Sequence, residues 1–368
     1  MATIHEMLEF SGGSFEKAEE VALNFIRSGK KEIILDLQLL YCAQGKYDLA
    51  EHWEIEADKY LQMGPERFFN KAWKYMKDGD LQSGMKSLYL SRPKRLFGSP
   101  RPPTKTNEWD GSSLTGKKLL LYSEGGLGDE IINARFAKCF KQMGATVILS
   151  CSSGLMNLFD SVDGVDTVID VRAVPLVKHD FWVPAMSAAI FCNTNYGNLP
   201  NDPYIKTPVN LAWDYIVKKD KFNVGIRWAG NPKFEHEQLR KFPVEPLFAL
   251  TDLPGVQLYS FQRDNDVVTL PPEITDLSNL ICTWDDTAAA VGKMDLMISS
   301  CTSVAHLAGA MGKKTWVLIP IMPYYIWAQP GTTSSWYKTV TLFRQTKFGD
   351  WNEPFSNLKN CLSEIVEE

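Results

Sequence analysis

Two short stretches hold the residue types best suited to chemistry. Ser300-Cys-Thr-Ser303 stands between an apolar run, Met294 to Ser299, and a helix-spaced run through Val304, Leu307, Ala308 and Met311 that Gly312 closes. Hydroxyls and backbone N–H groups at a helix start attract an anion through the helix dipole. Thr302 and Ser303, with His306 one turn further in, therefore form a candidate phosphate site. The second stretch, Glu124-Gly-Gly-Leu-Gly-Asp-Glu130, follows a short apolar strand, Leu119 to Tyr122. Gly125, Gly126 and Gly128 let a bulky ligand approach the backbone, and Asp129 at the start of the following helix points toward that ligand. Thr302, Ser303 and Asp129 are also good helix caps, so capping alone is the competing reading.

Three further places add to these. Trp228-Ala-Gly-Asn-Pro-Lys233 leads to Leu239-Arg-Lys241, and a polar turn with Asn231, Lys233 and Arg240 suits a diphosphate whose charge grows as it departs. Ser260-Phe-Gln262-Arg-Asp264-Asn-Asp266 follows the next strand, where a base and ribose commonly lie. Its D-x-D is too short a match to specify a metal, and no metal is expected. Asp285-Asp286 precedes a helix, as a cap or facing the ligand.

The elements that must position these residues alternate from Lys117 onward. Leu119–Tyr122, Thr146–Leu149, Thr167–Ile169 and Phe181–Val183 read as strands of one sheet, with a helix from Ile131 to Met143 on it. Asn223–Trp228, Gln257–Phe261, Met294–Ser299 and Thr315–Ile319 read as strands of a second. Strand-helix-strand order predicts two open parallel sheets, and such sheets bind ligands beyond the carboxyl ends of their strands. The expected site is the cleft between them.

Residues 1–95 read as helices only. Glycine turns precede Phe15, Tyr47 and Leu81, each followed three residues on by Ala18, Ala50 or Gly84, at intervals of about 33 residues. That period, with a helix pair per repeat, is similar to degenerate tetratricopeptide repeats, which offer concave surfaces to a protein partner or a neighbouring domain. Residues 96–116 are a proline-rich linker, expected to lie along the next domain because Leu96, Phe97 and Trp109 are costly to leave in water.

The totals narrow the field. At 368 residues, two or three domains are expected. A formal net charge of −5 gives no global attraction to nucleic acid or anionic membrane, which makes a nucleic-acid partner less favoured. Seven scattered cysteines without a C-x-x-C pair, and five histidines without H-E-x-x-H spacing, argue against a disulfide framework or structural zinc and for a cytoplasmic setting. Met1 to Phe10 carries acidic residues and no long apolar run, so it does not read as a signal peptide, and no membrane span is expected.

In order, Gly79-Asp-Leu-Gln-Ser-Gly84, Trp109-Asp-Gly, Gly125-Gly-Leu-Gly-Asp129, Trp228-Ala-Gly-Asn-Pro232, Asp286-Thr-Ala288, Thr302-Ser-Val-Ala-His-Leu-Ala-Gly309, Trp336-Tyr337, Leu342-Phe-Arg-Gln345 and Gly349-Asp-Trp351 resemble the heptosyltransferase class of bacterial glycosyltransferases, family 9, and their tetratricopeptide-linked relatives. The resemblance implies an α/β GT-B fold of two Rossmann-like domains behind the helical region. The first, residues 117–218, is the acceptor half; the second, residues 219–350, is the nucleotide-sugar half; residues 351–368 form a last helix crossing back. It implies an inverting, metal-independent glycosyltransferase with no cofactor beyond the nucleoside-diphosphate sugar donor, acting on a glycan, protein or other hydroxylated acceptor. Asp129 inherits the role of general base, with Glu124, Gly125, Gly126 and Gly128 as the acceptor-side loop. Thr302, Ser303, His306, Arg240, Lys233, Asn231 and Asp286 fall to the donor, with Gln262 corresponding loosely to the base and ribose region. Relatives commonly carry Asp where this chain has Cys301. A non-catalytic interaction protein, its helical repeats binding a partner beside a degenerate transferase domain, is the rival reading. A nicotinamide-dependent oxidoreductase lacks its fingerprint here, because the turn is not G-x-G-x-x-G.

Overall fold

A computed structural model describes residues 6–7, 14–99, 101–232, 237–263 and 268–367. Lys233 and the Asp264-Asn-Asp266 triplet lie outside the described residues.

From Ser14 onward, five α-helices precede the sheets: α1 (Phe15–Arg27), α2 (Ile34–Ala43), α3 (Tyr47–Ala57), α4 (Pro65–Lys77) and α5 (Leu81–Ser91). Phe15, Tyr47 and Leu81, the large apolar residues of the repeated pattern, are the first residues of α1, α3 and α5, while the Gly12-Gly13 pair before Phe15 lies outside the described residues. A methyl added at Gly84 would stand 2.5 Å from the Met76 side chain, so glycine is what lets α5 pack tightly on α4.

Two parallel sheets follow. The first runs β1-β5-β2-β3-β4, with β1 at Asn107–Glu108, β2 at Lys118–Tyr122, β3 at Thr146–Cys151, β4 at Thr167–Asp170 and β5 at Phe181–Pro184. The second runs β11-β10-β9-β6-β7-β8, with β6 at Phe222–Arg227, β7 at Val256–Ser260, β8 at Thr275–Asp276, β9 at Leu296–Ser300, β10 at Thr315–Ile319 and β11 at Val340–Arg344. In each sheet the first long strand, β2 or β6, lies inside, and the chain later returns to its other side. That reversal opens a crevice at the strands' carboxyl ends, which is where the candidate turns emerge.

Side chains alternate along the strands as the pleat requires. Val317 and Ile319 of β10 join a large apolar cluster that also takes in Leu119 and Leu121 of β2 and Met76, Leu81 and Leu88 of the helical segment. Trp316 and Leu318 point the opposite way, into a cluster with Val224, Ile226 and Leu258. One continuous apolar body thus joins residues from all three segments.

The structure corrects one element. The helix after the glycine-rich turn starts four residues earlier than expected, as α6 (Leu127–Ala134), and a separate helix occupies Ala137–Gln142 after a break at Arg135 and Phe136. The final helix, α9 (Asn352–Glu367), packs on the second sheet, where Phe355, Leu358 and Leu362 are buried in the cluster that holds Trp316 and Leu318. Its apolar stripe finds its counterpart there in Trp316 and Phe343.

The linker is held, not free. β1 pairs with β5, and the Trp109 N–H donates to the Trp182 carbonyl at 2.9 Å. Among the described residues, no helix is long and apolar enough to cross a membrane.

Candidate active site

The carboxyl ends of the strands open onto one cavity of about 750 Å³. Its wall brings together Gly126, Gly128 and Asp129 from the first unit with Arg227, Asn231, Arg240, Thr302, Ser303 and His306 from the second.

Asp129 is the third residue of α6, whose N-cap is Gly126. The carboxylate reaches back to accept from the Gly126 N–H at 2.8 Å through Oδ2. Oδ1 accepts from the Tyr324 hydroxyl at 2.5 Å, a bond that crosses from the second unit to the first. Burial pushes the Asp129 carboxyl above its ordinary range, and the Tyr324 hydroxyl and Gly126 N–H partly offset that rise. Gly125 has φ +74°, and a methyl there would fall 2.4 Å from Asp129 Oδ2, so glycine is required both by the turn and by the carboxylate's position.

On the facing wall, Thr302 occupies the N-cap of α8 (Ser303–Ala310), and its side chain makes no capping bond. The Thr302 hydroxyl instead pairs with Ser299 Oγ at 3.1 Å. The first-turn N–H groups of α8 therefore have no side-chain cap at the cavity, which suits an anionic ligand. A methyl on Gly128 would lie 3.1 Å from His306 Cδ2 and 3.6 Å from Ser303 Cα, so the starts of α6 and α8 nearly touch across the cleft.

His306 is buried, stacked on Trp327 at 5.6 Å between ring centroids, with Nδ1 3.5 Å from the Tyr337 hydroxyl. Burial first, then the charges of Arg135 and Arg240, push its pKa down to about 3. It is neutral at physiological pH and offers a hydrogen bond, not a positive charge.

Among the described residues, the cations of the cavity wall are Arg227, at the end of β6, Arg240 and Arg263. Arg227 donates to the Phe261 carbonyl at 2.9 Å. Arg240 is paired with Glu237 at 2.5 Å and also donates to the Cys301 carbonyl at 2.5 Å. Glu237 in turn accepts from the Gly230 N–H, so this pair fixes the turn after β6 against the start of α8. Cys301 lines the cavity as a neutral thiol, its pKa raised by burial, and its sulfur accepts from the Trp327 indole N–H at 3.0 Å.

Four described residues assigned from sequence do not line the cavity: Gly125 stands behind the Asp129 carboxylate, and the other three are elsewhere. Glu124 is buried away from the cavity, ion-paired with Arg92 and accepting from the Ser99 N–H at 2.7 Å; it ties the linker to the first unit. Asp286 closes a capping box with Thr283 at the start of α7 (Trp284–Gly292), accepting from the Thr283 N–H at 2.9 Å, while the neighbouring Trp284 and Thr287 take the cavity wall. Gln262 is buried behind the wall, where Oε1 accepts from the Ala229 N–H at 3.1 Å.

Conversely, sequence reasoning missed Tyr324, Arg227, Phe69 and Trp73, all of which line the cavity. Arg227 had a legible signal, a charge ending an apolar strand. Tyr324 lies five residues beyond the end of β10, also at a carboxyl end. Phe69 and Trp73 had none, because their place depends on how α4 docks. Trp73 Nε1 donates to the Pro323 carbonyl at 3.0 Å, and the Tyr47 hydroxyl donates to the Ile321 carbonyl at 3.0 Å. Gln82 binds the first unit through the Ala189 and Thr194 carbonyls at 3.0 and 2.6 Å.

No family model matches the chain. It is 25% identical over 313 residues to Protein FlbA of Caulobacter vibrioides, a match covering 74% of this chain and 50% of that protein. The chain thus spans about half the length of this curated relative. Among solved structures it is similar to a family 9 glycosyl transferase from Veillonella parvula, with 11% identity and a TM-score of 0.49 over 70% of this chain and 99% of that one. It is also similar to the E. coli ADP-heptose lps heptosyltransferase II, with 11% identity and a TM-score of 0.47 over 68% and 100%. The O-GlcNAc transferase of Thermobaculum terrenum aligns over 100% of this chain and 94% of its own, with 12% identity and a TM-score of 0.30.

Proposed function

We propose that this chain is an inverting glycosyltransferase that moves a sugar from a nucleoside-diphosphate sugar to an acceptor hydroxyl without a metal ion. One observation carries the reading: a carboxylate fit to accept a proton and a helix start fit to hold a diphosphate face each other across a single cavity. Its volume, about 750 Å³, lies in the range of sites for ligands of this size. The ordered motifs that resemble family 9 transferases point the same way, and the tetratricopeptide-linked type among them fits the helical segment that precedes the sheets.

In this reading the acceptor hydroxyl loses its proton to Asp129 while its oxygen bonds to the anomeric carbon. The bond from that carbon to the diphosphate breaks, and a nucleoside diphosphate leaves. Attack from the face opposite the leaving group inverts the anomeric configuration. The raised pKa of Asp129 makes it a stronger base than an exposed carboxylate, and base catalysis of this kind contributes about 10²–10⁴-fold. The negative charge that develops on the leaving group meets the dipole of α8, the Ser303 hydroxyl, a hydrogen bond from neutral His306, and Arg227 and Arg240. These groups do the electrostatic work for which other transferases use a divalent cation, and on them the metal-independent reading rests.

Calorimetric titration of ADP, GDP, UDP and CDP in EDTA, followed by NMR of the product's anomeric proton, tests the proposal. The expected result is tight binding of one of them without metal and an inverted product. A strict Mg²⁺ or Mn²⁺ requirement, retention of configuration, or no binding in the panel would overturn it.

A further inference from the structure

Polar and apolar groups are unevenly distributed around the cavity. The arginines, Ser303 and the open end of α8 belong to the second unit, whereas the helical segment and linker contribute Phe69, Trp73, Leu96 and Phe97. The rings of Phe69 and Trp73 are 4.8 Å apart and tilted by 58°. Trp73 is fixed by its bond to the Pro323 carbonyl, and the next residue, Tyr324, bonds Asp129. Continuous contact therefore joins this aromatic wall to the carboxylate read as the base.

We infer that Phe69 and Trp73 form the acceptor subsite, and that the acceptor is uncharged and carries an aromatic or similarly flat apolar group beside the reacting hydroxyl. The inference rests on the transferase reading above. Three physical arguments support it. A rigid pair of aromatic rings gains by stacking on a flat partner and has little rotamer entropy left to lose. The four side chains from the helical segment and linker carry no charge, so an anionic acceptor would lose hydration there without a counter-ion. It would also approach Asp129, a like charge that must be ionised to work. Among the described lining residues the cations sit on the wall assigned to the diphosphate, which favours the apolar wall of Phe69 and Trp73 for the second substrate.

The experiment uses the full chain saturated with whichever nucleoside diphosphate binds most tightly, so that the cationic wall is filled. Binding of 4-methylumbelliferyl β-glucoside, methyl β-glucoside and glucose 6-phosphate is then compared by calorimetry. The aryl glucoside is expected to bind best and the sugar phosphate worst. Phe69→Leu and Trp73→Phe, which keep the wall apolar, should each weaken the aryl glucoside by about two- to tenfold and leave the methyl glucoside unchanged. Nucleoside-diphosphate affinity serves as the folding control in both variants. Equal affinity for the aryl and methyl glucosides, or preferential binding of the phosphate, would overturn the acceptor assignment while leaving the transferase reading intact. Failure of every nucleoside diphosphate to bind would overturn that reading, and the inference with it.

Discussion

Replacing Tyr324 by phenylalanine deletes one oxygen atom and tests the assignment of Asp129 directly. The hydroxyl donates to Asp129 Oδ1 at 2.5 Å and favours the ionised carboxylate. Its removal should therefore raise the Asp129 pKa further above the ordinary carboxylate range. A hydrogen bond to a charged group contributes about 1.5–3 kcal/mol. The carboxylate lies on the wall of an open cavity, so water takes the vacated place and the lower end of that range applies. At about 1.4 kcal/mol per unit, the expected rise is about one pH unit. A general base works only when deprotonated, so the acid limb of kcat/KM should move about one unit to higher pH, with the plateau rate much less affected. The assay is a pH profile of nucleoside-diphosphate release over pH 4 to 9 for both proteins at subsaturating acceptor. An unmoved acid limb would mean that Asp129 is not the titrating base, or that the Tyr324 bond is absent from the working state.

Asp129→Asn should lower kcat by about 10²-fold or more with donor affinity nearly unchanged, because an amide oxygen can still accept from Gly126 while its NH₂ donates to Tyr324, but it takes no proton. The carboxyl's raised pKa stabilises the fold below the ordinary carboxylate pKa of about 3.9, and that contribution is lost as pH rises through the raised value. The Asn variant should thus melt no lower than the parent at neutral pH, with its advantage shrinking toward about pH 4; a lower Tm at pH 7 refutes this. Ser303→Ala should weaken nucleoside diphosphate by about 1–2 kcal/mol in calorimetry and leave acceptor affinity alone; the reverse pattern would exchange the two walls. With its pKa held down to about 3, His306 should show no imidazole titration by NMR between about pH 5 and 8, and a midpoint near the ordinary value of about 6.5 would contradict its burial. Arg135 is buried and donates to the Ile132 and Pro200 carbonyls at 2.8 and 3.0 Å and to the Trp336 carbonyl, so Arg135→Met should cost at least about 3 kcal/mol in urea unfolding.

The sheets were legible because their strands are apolar runs with little competing pattern. Thr315–Ile319 has the same bounds in both readings, and most other strands differ by one or two residues. The two-residue strands β1 and β8 gave no periodicity to read. The start of α6 was misplaced because Leu127 and Gly128 look like more of the glycine turn, yet Gly126 in an extended conformation is the real cap. Thr302, Ser303 and His306 line the cavity, and their grouping was legible because a helix start after a buried strand is a local arrangement. What failed depends on contacts distant in sequence. Glu124 found Arg92, 32 residues earlier, and nothing local to the glycine-rich turn announces that partner. Asp286 shows the limit from the other side: its alternative as a plain cap was visible, and the capping box is what the backbone adopted. The neutrality of His306 follows from its burial, beside Trp327 and Tyr337, and from the charges of Arg135 and Arg240, an environment that only the folded chain assembles.

The docking of α4 onto the loop after β10 bears on how this chain could be recombined. Helical repeat segments are usually treated as interchangeable attachments, cut at a linker and joined to another catalytic body. Here the cut at residue 96 would sever the Trp73–Pro323 and Tyr47–Ile321 bonds, open one side of the cavity and remove Ala72, Met76, Leu81 and Leu88 from the shared apolar cluster. Residues 47–99 and 321–324 form one inheritable unit, and a functional chimera has to carry both pieces from the same parent.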